Sequence, residues 1–435
     1  MRLANLLKLG AAILLAFGSI AGGLQNRPVL AEFHTWHVAS LGSDITGQGT
    51  EASPFATIQH AIDSASDGDT VLVHPGVYTE NINFLGKNII VGSLLVTTGD
   101  NSYIQQTVIN GNRAGHVITF PGGETAGAAL SGFTITNGYS YGEPPLESSG
   151  GGISCHMSNP ILTSLTVTGN EAVDEGGGLY FDNCSPTIRD VLVANNLSNG
   201  GGGIRFSYGS VNLENVVIAY NRATGGGAGI QFYHSEGTIT NALIAGNTGN
   251  AKGGGMQFDG CSPTFINVTV VGNWTSDHGG GLNVSFASHP TLVNSIVWGN
   301  APEQIYFDTD WPGEAITVEY SDIQGGAVGI ATNGQGPVIW GSGNLDALPR
   351  FVSAGLGNFH LANDSPLIGA GKSAGAPSTD LEGNPRPRPA GSNPDMGAYE
   401  NPMGLKYFLP IIPCAEPLPE LFELEPEDIH MILAL

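Results

Sequence analysis

Hydrophobic and polar residues alternate in a pattern that is repeated six times between residues 150 and 300. Each repeat begins with a glycine-rich run that is closed by an apolar anchor: Ile153, Leu179, Ile204, Ile230, Met256 and Leu282. Successive anchors are 26, 25, 26, 26 and 26 residues apart. A period this regular indicates a solenoid, in which each unit buries its apolar face against its neighbours.

The columns of the repeat predict three short strands. Two positions after the anchor lies a mostly aromatic column: Cys155, Phe181, Phe206, Phe232, Phe258 and Val284. The residue between the two apolar positions is polar or amphipathic in every repeat, and this period of two is typical of a strand with one buried face. A turn and a second apolar segment follow. Two residues, rather than one, then separate successive apolar columns, which predicts a corner before a third strand.

Asparagine occupies two columns of the repeat. At the predicted corner, Asn tolerates the left-handed backbone conformation, and the residues are Asn215, Asn241, Asn267 and Asn294. At the end of the third strand the column has no exception: Asn170, Asn196, Asn221, Asn247, Asn273 and Asn300. Because stacked Asn side chains can hydrogen-bond along a column, we predict two structural asparagine ladders.

These features predict an all-β fold, a right-handed parallel β-helix with about 26 residues per coil. Parallel strands ordinarily need long crossover connections, usually right-handed. Here each coil pairs only with the coils above and below it, so short corners suffice. Apolar residues at positions 55, 58 and 62 predict a short amphipathic helix,. We expect this helix to cap the open N-terminal end of the solenoid, where strand edges would otherwise be exposed.

Composition along the chain predicts five regions. Residues 1–31 contain Arg2, Lys8 and Arg27, no acidic residue and an apolar run, which is typical of a secretory signal peptide. We then expect an N-terminal cap with the first coils over 32–110, β-helix repeats over 111–342, a C-terminal capping and anchor-associated module over 343–400, and a flexible tail over 401–435. No later segment has the roughly 18 apolar residues of a transmembrane helix. The sequence therefore predicts a protein that is secreted or held at the cell surface.

Charge and cysteine spacing limit the partners and cross-links. The formal net charge of −24 argues against nucleic acid as a partner, because phosphate contacts need basic clusters. Cys184 and Cys261 lie three coils apart, roughly 14 Å, too far for a disulfide. Cys155 lies in the coil next to Cys184 but three residues out of register, so we expect no bond there either. The prediction is four free thiols that act as small apolar fillers.

The segment that follows the predicted helix carries a family resemblance. The order ATIQ, AID and GDTVLVHPGVYTE over residues 56–80 resembles the N-terminal head of secreted bacterial right-handed β-helix proteins of the pectate-lyase-like superfamily. The same turn opens pectin methylesterases, but their catalytic segments of the QAVAL and DFIFG type do not occur in this sequence. The resemblance implies the fold and leaves the chemistry open.

A second resemblance covers residues 343–400. The segments GNLDALPRF, TDLEGNPRPRP and PDMGAYE resemble the choice-of-anchor Q type module that ends many surface β-helix proteins. The resemblance implies a module that precedes a variable anchoring signal. We expect its apolar residues to cover the last coil of the solenoid: Phe351, Leu361, Leu367, Ile368 and Tyr399.

Two outward columns of the first strand are the candidate binding face. The resemblance to polysaccharide lyases and hydrolases of this fold implies that a substrate would lie along a strand face and its adjacent loops. Polar and aromatic side chains can hydrogen-bond and stack against sugars. The candidate residues are Tyr180, Asp182, Arg205, Gln231, Tyr233, Gln257, Asp259 and Asn283. The alternative interpretation is a solvated sheet face that serves solubility alone.

No complete catalytic set is present in the sequence. Glycoside hydrolysis needs two carboxyls about 5–10 Å apart, whereas Asp182 and Asp259 lie three coils, roughly 14 Å, apart. The adjacent acids Asp174 and Glu175 are interpreted as loop solvation. Arg205, which we expect to be flanked by Asp182, is the least implausible catalytic cation. We expect no cofactor and no metal, and nothing in the sequence supports a calcium site.

The leading hypothesis is an exported, non-catalytic β-helix that binds an extracellular polysaccharide or another cell-surface component through this face. The first alternative is a polysaccharide lyase or glycoside hydrolase with an unfamiliar active site. The second is a structural surface stalk or adhesin.

Overall fold

The computed structural model describes residues 33–143 and 146–402 of the chain. The predicted signal peptide and all but two residues of the predicted tail lie outside the described residues, as does Cys414. The described chain forms a parallel β-helix of about nine coils, which confirms the predicted fold class.

Thirty-two strands and three short α-helices make up the described chain. Before the glycine repeats lie β1 (Thr35–Val38), α1 (Ile58–Ser64), β2 (Thr70–Val73), β3 (Gly76–Thr79), β4 (Ile82–Asn83), β5 (Ile90–Ser93), α2 (Leu95–Thr98), α3 (Ser102–Gln106), β6 (Thr107–Asn110), β7 (Ile118–Phe120), β8 (Ala129–Ser131), β9 (Thr134–Thr136) and β10 (Tyr139–Ser140). The repeats contain β11 (Ile153–His156), β12 (Ile161–Thr168), β13 (Glu171–Ala172), β14 (Leu179–Asp182), β15 (Thr187–Ala194), β16 (Leu197–Ser198), β17 (Ile204–Ala219), β18 (Arg222–Ala223), β19 (Ile230–Ala245), β20 (Thr248–Gly249), β21 (Met256–Asp259), β22 (Thr264–Val271), β23 (Trp274–Thr275), β24 (Leu282–Ser285), β25 (Thr291–Val293) and β26 (Ile296–Trp298). Beyond them lie β27 (Ile305–Phe307), β28 (Ile316–Glu319), β29 (Asp322–Ile323), β30 (Val338–Trp340), β31 (Phe351–Ser353) and β32 (Asn358–Leu361).

Three parallel ladders run the length of the solenoid, one for each predicted strand of the repeat. The first ladder contains β4, β7, β11, β14, the start of β17 and of β19, β21, β24 and β27. Strands β12, β15 and β22 run through the second and third ladders, and β17 and β19 run through all three. The repeat anchors lie opposite one another, as in the pairing of Ile204 with Ile230. A fourth ladder of two-residue strands, β10, β13, β16, β18, β20 and β23, is not foreseen by the sequence pattern.

The glycine runs fit the close approach of successive coils. The first glycine of each run is left-handed, as at Gly176 with a φ of 64°, a conformation that glycine adopts without steric cost. The third has no room for a side chain, because a Cβ on Gly178 would lie 2.6 Å from the carbonyl oxygen of Gly203 in the next coil. The run is therefore a backbone packing device.

The asparagine column at the end of the third strand is a continuous buried ladder. The Nδ2 of Asn196 donates to the Oδ1 of Asn221 at 3.0 Å, and the Nδ2 of Asn221 donates to the Oδ1 of Asn247 at 3.0 Å. The same oxygens accept a backbone N–H from the preceding coil, as from Asn196 to Asn221 at 3.1 Å. Equivalent bonds extend the ladder in both directions, to Asn170, Asn273 and Asn300.

The corner column has the predicted left-handed backbone but forms a broken ladder. The φ values of Asn215, Asn241, Asn267 and Asn294 lie between 50° and 55°. Asn241 donates to Asn215 at 3.0 Å and Asn294 to Asn267 at 3.3 Å. Between Asn241 and Asn267 the amides turn instead to the C-terminal segment, where Asn267 donates to the carbonyl of Asp395 at 3.0 Å. The column therefore serves as a docking site for residues far along the chain.

The C-terminal module does not cover the last coil as expected. Residues 343–402 fold back along the outer side of the third ladder. Phe351, Phe359, Leu381 and Tyr399 pack against Leu243, Ala245 and Val271, and Leu361, Leu367, Ile368 and Met396 pack against Ile296. The reason is that the outward positions of the third ladder are apolar in these coils and need a cover.

One disulfide corrects the prediction of four free thiols. Cys155 and Cys184 are bonded, with their Cα atoms 6.6 Å apart. Asn183 is left-handed, with a φ of 52°, and directs the chain back into the interior at Cys184. The two cysteines are therefore close enough to bond although they are out of register in the sequence repeat. Cys261, in the same column as Cys184, is a buried free thiol.

Helix α1 caps the N-terminal end, as predicted. Ile58, Ala61 and Ile62 are buried against the first coils. The carboxylate of Glu80, from the GVYTE segment, accepts the backbone N–H groups of Ile58 and Gln59 at 3.0 Å each. A carboxylate here satisfies N–H groups at the helix N-terminus that have no partner within the helix. None of the helices in the described part of the chain is long and apolar enough to span a membrane.

Candidate functional site

The eight predicted binding residues lie together on the outer side of the first ladder. They occupy five successive coils, on β14, β17, β19, β21 and β24, and lie in register from coil to coil. We call this surface the polar face: Tyr180, Asp182, Arg205, Gln231, Tyr233, Gln257, Asp259 and Asn283.

The polar face is covered to an extent that the sequence pattern does not reveal. Tyr180, Arg205 and Asn283 are 2%, 6% and 0% exposed, and Gln231 and Gln257 are half-buried. The cover is supplied by the glycine loops: a Cβ on Gly200 would lie 2.5 Å from the Oε1 of Gln231. Because these loops lie over the outward side chains, the face is largely covered and is not an open, solvated sheet.

Arg205 lies on the second of the five coils of the polar face. Its Nη2 lies 3.1 Å from the Oε1 of Glu175, and its Nε donates to the Oγ of Ser207 at 3.2 Å. The guanidinium carbon lies 5.3 Å from the centre of the Tyr233 ring, a cation–π distance,. Asp182, the expected partner, is engaged with His156, whose Nδ1 lies 2.7 Å from its Oδ2. Arg205 therefore forms its ion pair with Glu175 and not with the expected Asp182. Glu175 is thus more than a solvated loop residue.

Glu175 is a perturbed carboxyl group. Burial raises its pKa, the Arg205 guanidinium opposes this shift, and the carboxylates of Asp174 and Asp259 add to it,. The side chain of Glu175 is 24% exposed and comes from the loop just before Gly176. The sequence signal for this role is the position of Glu175 immediately before a glycine run, which by itself does not predict the ion pair.

Asp259 orients the two glutamines of the face. Its Oδ1 accepts from the Oγ of Ser285 at 2.6 Å and from the Nε2 of Gln257 at 3.2 Å, and the Nε2 of Gln231 lies 3.5 Å from its Oδ2. Both amide nitrogens therefore point to the carboxylate, and both amide oxygens point away from it.

The polar face contains a row of buried polar atoms that have no hydrogen-bond partner. It comprises the Nη1 of Arg205, the Oε1 of Gln231, the Oε1 of Gln257, and the Nδ2 and Oδ1 of Asn283. These atoms belong to four successive coils. Buried polar groups in proteins nearly always have partners, so a row of exceptions on one face marks a place where ligand atoms or water would be bound.

An exposed aromatic column borders the polar face and was not predicted. Tyr208, His234 and Phe286 follow the outward strand residues, at the corner where other coils carry Asn183 and Gly260. Tyr208 lies 5.4 Å from the ring of Tyr233, and a hydrogen bond between the two hydroxyls raises the pKa of Tyr208. The sequence signal is the presence of three rings in a column where the other repeats have Met157, Asn183 and Gly260.

The structure does not bring together the catalytic candidates that were predicted from the sequence. Asp182 and Asp259 are three coils apart in the ladder, and Arg205 is already ion-paired. Within residues 33–143 and 146–402, no three His, Cys, Asp or Glu side chains are grouped so that they could hold a metal ion.

Comparisons with known proteins agree on the fold. A family model described as a right-handed β-helix region matches residues 218–344, and the hand of the solenoid is the predicted one. No curated protein matches the chain with significance.

Three solved structures are similar to this chain at low identity and low TM-score. Pectate lyase Pel9A is 15% identical, with a TM-score of 0.49 over 84% of this chain and 96% of that one. XylC in complex with xylose is 12% identical, with a TM-score of 0.31 over 84% of this chain and 98% of that one. A GH136 lacto-N-biosidase from Eubacterium ramulus is 12% identical, with a TM-score of 0.30 over 72% of this chain and 66% of that one. The likeness is confined to the fold.

Proposed function

We propose that this chain binds an extracellular or cell-surface carbohydrate along the polar face, as a protein without catalytic activity. The observation that carries the proposal is the row of partnerless buried polar atoms on Arg205, Gln231, Gln257 and Asn283. A β-helix that served only as a stalk would have no need of such a row on the outer side of one ladder.

The chemistry of the row suits hydroxyl groups. Arg205 offers a donor, the two glutamines offer acceptors, and Asn283 offers both,. A hydroxyl group both donates and accepts, so a chain of sugars can satisfy all of these atoms. Each buried polar atom without a partner costs about 1–3 kcal/mol, and a ligand that supplies the partner recovers part of this free energy.

The covering segments control access to the row, whose atoms are buried beneath them. The loops over Gln231 and Gln257 consist largely of glycine and contribute no core side chains. A ligand reaches these atoms only if the loops move, and the loops are hydrogen-bonded from coil to coil, as from the N–H of Gly201 to the carbonyl of Gly226 at 3.0 Å.

A binding measurement on a paired variant tests the proposal. The double variant Gln231→Leu, Gln257→Leu removes the two amide oxygens that lack hydrogen-bond partners. The replacement side chains have a similar size. We expect binding to a carbohydrate identified on a glycan array to weaken at least about tenfold, equivalent to about 1.4 kcal/mol. Because the variant also loses the amide hydrogen bonds to Asp259, binding is measured at a temperature at which circular dichroism shows that the variant is folded. Gln105→Leu is the control, because Gln105 is an exposed residue of α3, outside the five coils of the polar face.

Other outcomes decide between the alternatives. Unchanged affinity in the paired variant would show that the ligand binds elsewhere. An absence of binding to any glycan on a broad array would favour the structural stalk or adhesin.

Glycan cleavage at the same face is the second candidate function. It is favoured by Glu175, whose pKa is raised by burial and by the carboxylate of Asp259. A carboxyl whose pKa is raised is suited to act as a general acid opposite a second carboxyl. Incubation with a broad polysaccharide panel, read by reducing ends and by the absorbance of unsaturated products, tests it. Activity that is lost in Glu175→Gln but kept in Glu171→Gln supports cleavage, and no product on any polymer contradicts it.

A further inference from the structure

We infer that the exposed corner beside the polar face stacks the rings of a neutral oligosaccharide. We call this surface the aromatic corner, and it consists of Tyr208, His234, Phe286 and Trp311. The inference rests on the proposed carbohydrate-binding function and adds to it a second wall and a ligand class.

The rings of the aromatic corner are exposed and ordered into two platforms. Tyr208 and His234 are stacked, with centroids 5.6 Å apart and an interplanar angle of 14°. Phe286 and Trp311 are stacked at 5.1 Å and 26°. Tyr208, Phe286 and Trp311 are 45%, 46% and 52% exposed, so none of these rings is needed to fill the core.

Gly260 separates the two platforms. It lies between His234 and Phe286 in the corner column, and a Cβ there would lie 2.7 Å from the His234 ring. His234 and Phe286 are two coils, about 10 Å, apart. A ligand that stacks on both platforms must therefore be an oligosaccharide and not a single sugar.

The backbone of this corner is unfavourable for large side chains. The φ values of Tyr208, His234 and Phe286 are 57°, 46° and 53°, in the left-handed region that bulky residues rarely occupy. Asn183 and Gly260 in the same column suit that conformation, whereas Met157, with a φ of 45°, shares the strain. Rings that are both exposed and strained are not explained by folding, and such strain is typical of binding sites.

The charges around the corner favour a neutral ligand. The carboxylates of Glu175, Asp182 and Asp259 lie on the adjoining face. The two cations nearby are already paired, Arg205 with Glu175 at 3.1 Å and Lys252 with Asp308 at 2.8 Å. A polyuronate would meet carboxylates while both of these described cations are already engaged, whereas the apolar face of a neutral pyranose can stack on a ring.

The corner column itself provides a discriminating variant. In Tyr208→Asn with Phe286→Asn, each ring is replaced by a residue that suits the left-handed backbone, as Asn183 does. We expect the affinity for neutral oligosaccharides to fall at least about tenfold, while the melting temperature stays the same or rises. A residue with a merely structural role would lower both together.

Two further variants complete the experiment. Trp311→Ala removes the exposed ring that lies outside the left-handed column, and it should weaken binding about threefold to tenfold. Tyr220→Asn is the matched control, because Tyr220 is a left-handed tyrosine with a φ of 56° on another corner, and its replacement should leave binding unchanged. Isothermal titration with gluco-, manno- and xylo-oligosaccharides, and with polygalacturonate and alginate oligomers, gives the affinities.

Each outcome separates this inference from the proposed function. Unchanged affinity in Tyr208→Asn with Phe286→Asn overturns the aromatic corner but leaves the polar face intact if Gln231→Leu with Gln257→Leu still weakens binding. Tighter binding of the polyuronates than of the neutral oligomers overturns the ligand class. If the wild-type protein binds no carbohydrate on any panel, the proposed function itself fails.

Discussion

The guanidinium of Arg386 donates a hydrogen bond of 2.9 Å to the side-chain oxygen of Asn241, 145 residues earlier in the chain. Arg386 is fully buried, with its Nε 2.9 Å from Glu400 and its Nη2 donating to the carbonyl of Gly397 at 3.0 Å. One arginine thus joins the C-terminal module to the corner asparagines of the β-helix. The PRPRP and GAYE segments of the module meet at this point.

Replacement of Arg386 is expected to undock the C-terminal module. Arg386→Met leaves Glu400 buried without its partner, and loss of one member of a buried pair costs about 3–5 kcal/mol. Urea denaturation gives the free energy, and hydrogen exchange should show faster exchange around Leu243 and Val271, which the module covers.

Lys372→Met provides the control for this prediction. Lys372 also links the module to the solenoid, through Glu319 at 3.0 Å, but both side chains are more than a third exposed. Such a pair contributes about 0–1 kcal/mol. Equal effects of the two variants would contradict the assignment of Arg386 as the principal docking residue.

The continuous asparagine ladder is expected to be a major source of stability. Asn221→Ala removes hydrogen bonds to Asn247 and to the carbonyl of Val193, and leaves the Nδ2 of Asn196 with one acceptor fewer. Because these groups are buried, we expect a loss of about 2–4 kcal/mol in urea denaturation.

A variant of the corner column is the comparison for the ladder. Asn215→Gly keeps the left-handed backbone and removes only partly exposed hydrogen bonds, so the expected loss is below about 1 kcal/mol. If Asn215→Gly costs as much as Asn221→Ala, burial is not what gives the ladder its strength.

Alkylation of free thiols tests whether the disulfide forms. With Cys155 bonded to Cys184, the denatured, unreduced chain should show two of its four thiols reactive to alkylation, as mass spectrometry can detect. Reduction should destabilise the protein by about 3 kcal/mol, because the bond closes a loop with a sequence separation of 29 residues,. Cys155→Ala with Cys184→Ala should not respond to reductant, and four reactive thiols in the unreduced wild type would show that the bond does not form.

Stability is expected to fall as pH rises above about 5, in part because of Asp322. Burial raises the pKa of Asp322 to about 7. The folded state therefore retains a proton that the unfolded state has released above its ordinary pKa, and stability is lost as pH rises through the folded-state value. Asp322→Asn mimics the protonated form and should be more stable than wild type at pH 8 by about 2–4 kcal/mol, with no difference at pH 4.

An exposed aspartate is the control for this pH dependence. Hydrogen bonds from Ser102 hold the pKa of Asp100 below its ordinary value, so Asp100→Asn should not alter the change in stability between pH 5 and pH 8. A pH profile of Asp322→Asn that parallels the wild-type profile would rule out Asp322 as its source.

The period of the sequence determined the fold because the essential contacts are between equivalent residues of neighbouring coils. Ile204 meets Ile230 and Asn221 meets Asn247, each 26 residues on. Side-chain alternation fixes which columns are inward, and a skipped position fixes the corner. Register, strands, capping helix and left-handed asparagines could all be predicted from that information.

The tertiary structure decided what the segments outside the strands do. The glycine loops fold over Gln231 and Gln257, Glu175 reaches Arg205, and the turn at Asn183 brings Cys184 to Cys155. Arg386 docks on Asn241 across 145 residues. A repeat period specifies which residues share a column but not the path of a loop or of a non-repeating module. The sequence could therefore name the residues of the polar face, whereas only the structure shows that glycine loops cover them beside an exposed aromatic corner.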